Sequence, residues 1–543
     1  MNQLINHFLK PIYSFILYSP FTPIGFINYY RAERLNAVAR KFAASLRFFK
    51  PTATAQNQQG IVLMQMVQDY EYTIKLAAAS KALADKNNFC IKHYNVYWMH
   101  RIGWGHKYKE FFERLFKSKF EKIYSNLDSE IVFSCGDTFG DQKFIDQQLL
   151  AILSQIKKPE DILSIKIEQI LVGDLIYDTY LRYFHQPTIE TMNKDMEKVI
   201  ELCLHMFYNF TLFLKSTKIN ALVNTYSSYI EHGITARICL QKNIPVYTVG
   251  SHSYIIQKLE KDFPYHQINH TLFSEEKKIS PEQLEQAKQK LTSRFEGKID
   301  GATSYMKESS FSAKPFNEEL KKLFAKQKRN IIIYVHDFYD SPHVNKMLQF
   351  PDLYQFLKQT LEALKDLEGT GVFIKTHPNG MPGCKEKTIE LVNGFNKNNF
   401  YIVDETISNL NIIQLKPDLI ATARGTVCLE MAYFELPTVA LFDNLYTKFS
   451  FTHTCFDTQS YFSILKGKIQ PINNYNKQNI YSFYYQAFLE KSVQQENNLL
   501  MKLASFKGIN NDAFLTFLVD GEYMQGRQLL VDYFSSALLN DNK

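Results

Sequence analysis

The chain has 543 residues, 45% hydrophobic and 22% charged, a balance that excludes both a single-core domain and a disordered chain. Its net charge of +7 is spread without a dense Lys/Arg run, so nucleic acid is not an expected partner. The seven cysteines are scattered with no CxxC pair, the pattern of buried thiols in a reducing compartment rather than of a disulfide framework or a metal knuckle.

Residues 9–30 are apolar and aromatic, but Pro11, Pro20 and Pro23 interrupt them. No stretch reaches the roughly 18 unbroken apolar residues of a spanning helix, and no signal-peptide cleavage pattern follows. RAERLNAVARKFAASLRFFK, residues 31–50, reads as a basic amphipathic helix, docked on the protein or lying on a membrane surface. After a polar linker (52–60) come strand IVLMQMV, helix EYTIKLAAASKALADK, strand FCIKHYNVYW, a helix near 106–122 and a strand at 130–134. A helical region over 144–214 precedes strand INALVNT, helix YIEHGITARICLQKN and strand IPVYTVG. Residues 275–329 are polar and largely helical. A second alternation runs from 330 to about 456: strand 331–335, helix 354–367, strand 372–374, strand LIATA, helix 426–434 and a strand from about 438. A helical tail follows, its longest segment at 479–504.

Strands alternating with helices indicate parallel sheets with helical crossovers. There is no GxGxxG after the first strand and no GxxxxGK[ST], which disfavours a dinucleotide fold and a P-loop NTPase. The expectation is α/β, of the glycosyltransferase B (GT-B) type, with two Rossmann-like domains facing a cleft. Its divisions are an N-terminal helical extension (1–55), an acceptor domain (56–275), a connector (276–329), a donor domain (330–470) and a C-terminal helical tail (471–543).

Ligands of open α/β sheets bind outside the carboxyl ends of the strands, and three strands of the second half exit into polar residues. HDFYDSPH places His336, Asp337, Asp340 and His343 after the first; its spacing matches no standard zinc pattern. KTHPN follows the second, where Pro378 keeps His377 out of helical geometry beside Lys375. Arg424-Gly425-Thr426 follows the third. There Gly425 admits a close backbone approach, Thr426 is a candidate N-cap, Arg424 can add a bidentate phosphate contact and Glu430 lies one turn on. In the first half, LVGDLIYDTYLR puts Asp174 and Asp178 on one helical face, and Glu231-His232 opens another helix. Any of these four can serve as a base tuned near neutral pH; Tyr247, Gly250, Ser251 and His252 would line the same cleft.

The order GDLIYDTYLR, YIEHGITAR with PVYTVG, HDFYDSPH, IKTHPN and ATARGTVCLEMAYFELPTVAL, over about 172–443, resembles bacterial capsule and surface-polysaccharide biosynthesis proteins, relatives of the retaining Kdo transferases. The His-Pro dipeptide is also similar to that of bacterial sialyl- and polysialyltransferases, which implies that His377 contacts the phosphate of a CMP-sugar. Those enzymes carry a Ser/Thr-rich motif where this chain has Arg424-Gly425-Thr426, so UDP- and GDP-sugars stay open. The expected function is transfer of a sugar from a nucleotide-sugar donor to an oligosaccharide, polysaccharide or lipid-linked acceptor. It is expected to need no metal or cofactor, and to take place in the cytoplasm or peripherally at the inner membrane. A nucleotide-sugar 2-epimerase, a polyol-phosphate transferase and a non-catalytic polysaccharide-assembly scaffold are the alternatives.

Overall fold

The computed structural model describes residues 22–24, 26–27, 34–52, 59–96, 118–127, 129–135, 139–249, 256–266, 273–299, 308–344, 349–377, 380–441, 444–490 and 521–540. Among them the strands are β1 (Gly60–Met66), β2 (Phe89–Asn95), β3 (Ile131–Ser134), β4 (Lys166–Ile167), β5 (Ile170–Leu171), β6 (Ala221–Asn224), β7 (Val246–Thr248), β8 (Gln257–Lys258), β9 (Arg329–Tyr334), β10 (Thr370–Lys375), β11 (Phe400–Val403), β12 (Leu419–Thr422), β13 (Thr438–Leu441) and β14 (His453–Cys455). They form two six-stranded sheets, β3-β2-β1-β6-β7-β8 and β11-β10-β9-β12-β13-β14, plus the β4-β5 hairpin. Both sheets run outward from their first strand, first one way and then the other, which is the Rossmann order. The fold class is therefore α/β with two Rossmann-like parallel-sheet domains. Only β8 runs antiparallel to its neighbour in the large sheets.

The chain divides into two compact units that do not follow its linear order. Unit 1 comprises Met1–Ala151, Ile200–Pro264 and Gln495–Lys543; unit 2 comprises Ile152–Val199 and Tyr265–Gln494. This differs from the expected linear division: 152–199 joins the unit of the second sheet, and the far end of the tail joins that of the first.

In unit 1 the Ala-rich helix Tyr70–Asn87 packs along β1 with most of its residues buried. Asp69 caps it by accepting from the Tyr72 N–H at 2.9 Å, and Asn88 ends it in the left-handed region. The tail helix Gly521–Asn540 lies on that helix, burying Leu530, Val531, Phe534 and Leu538. Helix Ala37–Ser45, within the stretch read as basic and amphipathic, buries Ala39, Phe42 and Ala43, with Phe42 edge-on to Tyr70 at 5.2 Å. Its apolar face is thus covered by unit 1 itself. Among the described residues no helix is long and apolar enough to cross a membrane.

In unit 2 the central strand buries Ile331, Ile332 and Ile333 completely, as expected of a parallel strand covered on both faces. Each such side chain contributes about 1.5–3 kcal/mol of burial. The region read as one helical stretch over 144–214 is broken into helix Gln142–Leu153, the β4-β5 hairpin, helix Gly173–Phe184 and helix Lys194–Ser216. Gly173 permits the start of helix Gly173–Phe184: a Cβ there would lie 1.9 Å from the Ile162 carbonyl oxygen.

Candidate functional site

Strand register assembles the site. Tyr334 of β9 pairs with Lys375 of β10 on one side and with Thr422 of β12 on the other. Two residues along the chain beyond that row come His336, His377 and Arg424, past the strand ends at the carboxyl edge, with His377 and Arg424 both close to His336. The sheet order reverses between β9 and β12, so this is the topological switch point, where open α/β sheets bind ligands.

His336 and the Arg424-Gly425-Thr426 turn are built against each other. His336 Nε2 lies 2.8 Å from Thr422 Oγ1, whose hydroxyl donates to the Arg424 carbonyl at 2.8 Å. The Arg424 N–H donates to the same ring nitrogen at 3.4 Å. Ring burial, with His377 and Arg424 close by, pushes the His336 pKa down to about 3, so the imidazole is neutral. Gly425 has φ +120°, and a Cβ there would meet His336 Cε1 at 2.9 Å; the turn therefore requires glycine. The Gly425 carbonyl accepts from the buried Tyr446 hydroxyl at 3.0 Å.

Thr426 occupies the N-cap position of helix Val427–Tyr433, but its hydroxyl donates to Glu430 Oε1 at 3.1 Å instead of capping a backbone N–H. Glu430, expected at the donor, instead faces the interior: Arg294 Nη1 reaches the same oxygen at 3.1 Å, and both residues are almost fully buried, at 1% and 4% exposure. Arg294 also stacks over the Tyr484 and Phe488 rings.

At β10, Lys375 is buried and its amine donates to the Ile407 carbonyl at 2.8 Å. Burial pushes its pKa down to about 8. Burial, then the Lys375 charge, also lowers the His377 pKa. A hollow of about 200 Å³ opens here, lined by Thr376, His377, Gly380, Lys385 and Glu405 among others. It is smaller than the roughly 300–1,000 Å³ of small-molecule sites, a size that suits one phosphate or sugar. Helix Cys384–Gly394 begins at its wall with no side-chain cap, while Lys385 pairs with Glu405 at 2.6 Å. Asp337 braces this loop: it accepts from the Tyr339 N–H at 2.8 Å and from the Met381 N–H. Asp337 and Lys375 thus spend their polar groups on the protein. Pro378 lies outside the described residues, as do Gly250, Ser251 and His252.

Asp174 and Asp178, expected in the first half, belong to unit 2. Both are on helix Gly173–Phe184 and buried: Asp174 accepts from the Tyr265 hydroxyl at 3.2 Å, and Asp178 pairs with His343. Glu231 and His232 are in unit 1, at the start of helix Tyr229–Gln241 after β6. His232 Nδ1 accepts from the Gln65 side-chain amide at 2.8 Å, which leaves Nε2 facing Glu231 Oε1 at 3.1 Å. Gln65 is the penultimate residue of β1, and its side-chain carbonyl takes both the Thr225 N–H and hydroxyl, at 3.1 and 2.8 Å. This polar cluster occupies the switch point of the first sheet, between β1 and β6.

Arg294, Thr422 and Gln65 went unsignalled in the sequence. Arg294 sits in a polar stretch and Gln65 in an apolar run, and their roles depend on partners far along the chain.

The fold and site define an α/β protein with two Rossmann-like domains, the second bearing a histidine- and arginine-edged switch point. No family model and no curated protein matches the chain. Among solved structures it is similar to KpsC of Thermosulfurimonas dismutans, a beta Kdo 2,4 transferase, at 12% identity and a TM-score of 0.28, covering 49% of this chain and 79% of that one. It is also similar to a UDP-GlcNAc 2-epimerase from Neisseria meningitidis, bound to UDP-GlcNAc (10% identity, TM-score 0.23, covering 79% and 99%). A glycosyltransferase from Rickettsia africae is a third (10% identity, TM-score 0.24, covering 81% and 95%). These neighbours are glycosyltransferases and an epimerase; likenesses this weak carry no argument about activity.

Proposed function

We propose that the chain is a metal-independent glycosyltransferase of the GT-B type, moving a sugar from a nucleotide-sugar donor to a growing capsule or surface glycan. The observation that carries this reading is the group of His336, His377 and Arg424 at the switch point of the second sheet. A nucleotide-sugar leaves behind a phosphate whose charge grows as the glycosidic bond breaks. A guanidinium and neutral imidazole donors at a fixed edge stabilise that charge with little reorganisation. The acceptor's hydroxyl oxygen bonds to the anomeric carbon as the bond to the phosphate breaks, and its proton passes to a base. A lipid-linked acceptor would bring the enzyme to the inner face of the membrane.

The test is a transfer assay with CMP-, UDP- and GDP-sugars and oligosaccharide acceptors, run in the presence of a chelator. The expected result is nucleotide release in step with glycan growth, falling about 10²-fold or more in Arg424→Ala. An epimerised sugar formed without acceptor, or no turnover with any donor, would sink the transferase reading.

A further inference from the structure

The loop that follows β9 carries His336 and Asp337, yet it is anchored by a helix from elsewhere in the chain. Helix Gly173–Phe184 belongs to the segment that joins unit 2 from more than a hundred residues upstream. Asp178 on this helix takes the His343 backbone N–H on Oδ2 at 3.1 Å and the ring Nδ1 on Oδ1 at 2.6 Å. His343 Nε2 lies 3.0 Å from the Pro351 carbonyl, which can only accept, so that nitrogen carries a proton. With the Asp178 carboxylate at Nδ1 and a carbonyl at Nε2, the ring satisfies both only as imidazolium. Both partners are buried, at 1% and 3% exposure. One residue earlier, Tyr177 donates to Asp352 Oδ2 at 2.7 Å, and Asp352 caps helix Leu353–Leu364 through the Gln355 N–H at 2.7 Å. At the solvent end, Arg182 lies 3.7 Å from Asp340. Three neighbouring positions of one helix therefore hold the β9 loop at its outer end, its middle and its return.

A buried ion pair is an expensive way to gain stability, because desolvation offsets most of the attraction; its best-attested use is to fix registry. We propose that Asp178 and His343 are positioning residues, and that helix Gly173–Phe184 is a brace holding the β9 loop so that His336 stays close to His377 and Arg424. The consequence for ligand binding rests on the nucleotide-sugar reading above; the brace itself does not. Burial disfavours the charged His343 ring, but the carboxylates of Asp178, Asp174 and Asp352 outweigh it and hold its pKa above the ordinary value. Those three carboxylates, with the Tyr177 ring edge-on at 5.4 Å, are the groups facing it. The brace is therefore complete at neutral pH and releases as pH rises through the His343 titration.

The test is hydrogen–deuterium exchange of the full chain without nucleotide, from about pH 6 to pH 9, corrected for intrinsic rates. The loop offers protected amides to follow, because the N–H groups of Val335, Tyr339, His343 and Val344 are all hydrogen-bonded. The expected result is protection over 335–344 that is steady at low pH and falls tenfold or more on the alkaline side, with β10 and β12 unchanged. Asp178→Asn should show fast loop exchange already at the lowest pH and no further pH dependence. Should that variant not fold, the wild-type titration still decides, supported by the ring nitrogen shifts of His343. A loop whose protection ignores pH, or loosening spread evenly over unit 2, overturns the brace. A nucleotide screen that finds no ligand would leave the exchange result standing.

Discussion

His336 carries the clearest pH signature of the site. Its pKa falls to about 3 in the folded chain, against about 6.5 in an unfolded one. Below about pH 6.5 the unfolded chain then binds a proton that the folded chain refuses, so stability falls with falling pH, by about 1.4 kcal/mol per unit until pH 3. His336→Gln should remove that increment from the acid limb. Urea midpoints between pH 4 and pH 7 measure it, and an unchanged slope would contradict a neutral, buried His336. The chemistry of this edge was legible in the sequence, since apolar β9, β10 and β12 each end in conspicuous polar residues. What a sequence cannot show is where side chains point. Asp337, Lys375 and Glu430 look ligand-ready in the sequence, yet they hold Met381, Ile407 and Arg294. Such allocation is set by contacts between segments remote in the chain.

At the scale of elements, helix Pro281–Phe295 lies in the stretch that the sequence reads as polar and largely helical, and in the structure Ser280 caps it in a capping box with Gln283. Its last turn was not legible, because Arg294 is buried with Glu430 and beneath Tyr484 and Phe488. The helix is thereby pinned to the element that follows the Arg424-Gly425-Thr426 turn. Arg294→Met strands the Glu430 carboxylate and should cost about 3–5 kcal/mol; adding Glu430→Gln should restore a large part of it. Chemical denaturation of the single and double variants measures this coupling. Additive losses would show that the two residues act independently. Helix Gly173–Phe184 teaches the same lesson: its helical period was readable at Asp174 and Asp178, but the unit it joins was not.

For the whole molecule, the two Rossmann-like sheets were foreseeable because alternating strands and helices admit few topologies. The division into units was not, since it depends on contacts between 152–199 and the unit of the second sheet and between 521–540 and helix Tyr70–Asn87. Cutting the chain at residue 275 should therefore leave neither half with a complete core. Fragments 1–275 and 276–543 should each lack a cooperative thermal transition by circular dichroism, and should regain it when co-expressed. A fragment 1–275 that unfolds cooperatively on its own would contradict the discontinuous architecture.

We propose that the second sheet's switch point holds the phosphate of a nucleotide-sugar. Thermal stability of the full chain with CMP, UDP, GDP and their sugar conjugates, in the wild type and in Arg424→Ala and His377→Ala, tests it most directly. The predicted result is one nucleotide that stabilises the wild type, by about 2.7 kcal/mol at a hundred times its Kd, and neither variant. No stabilisation by any nucleotide, or the same stabilisation in all three proteins, would contradict it.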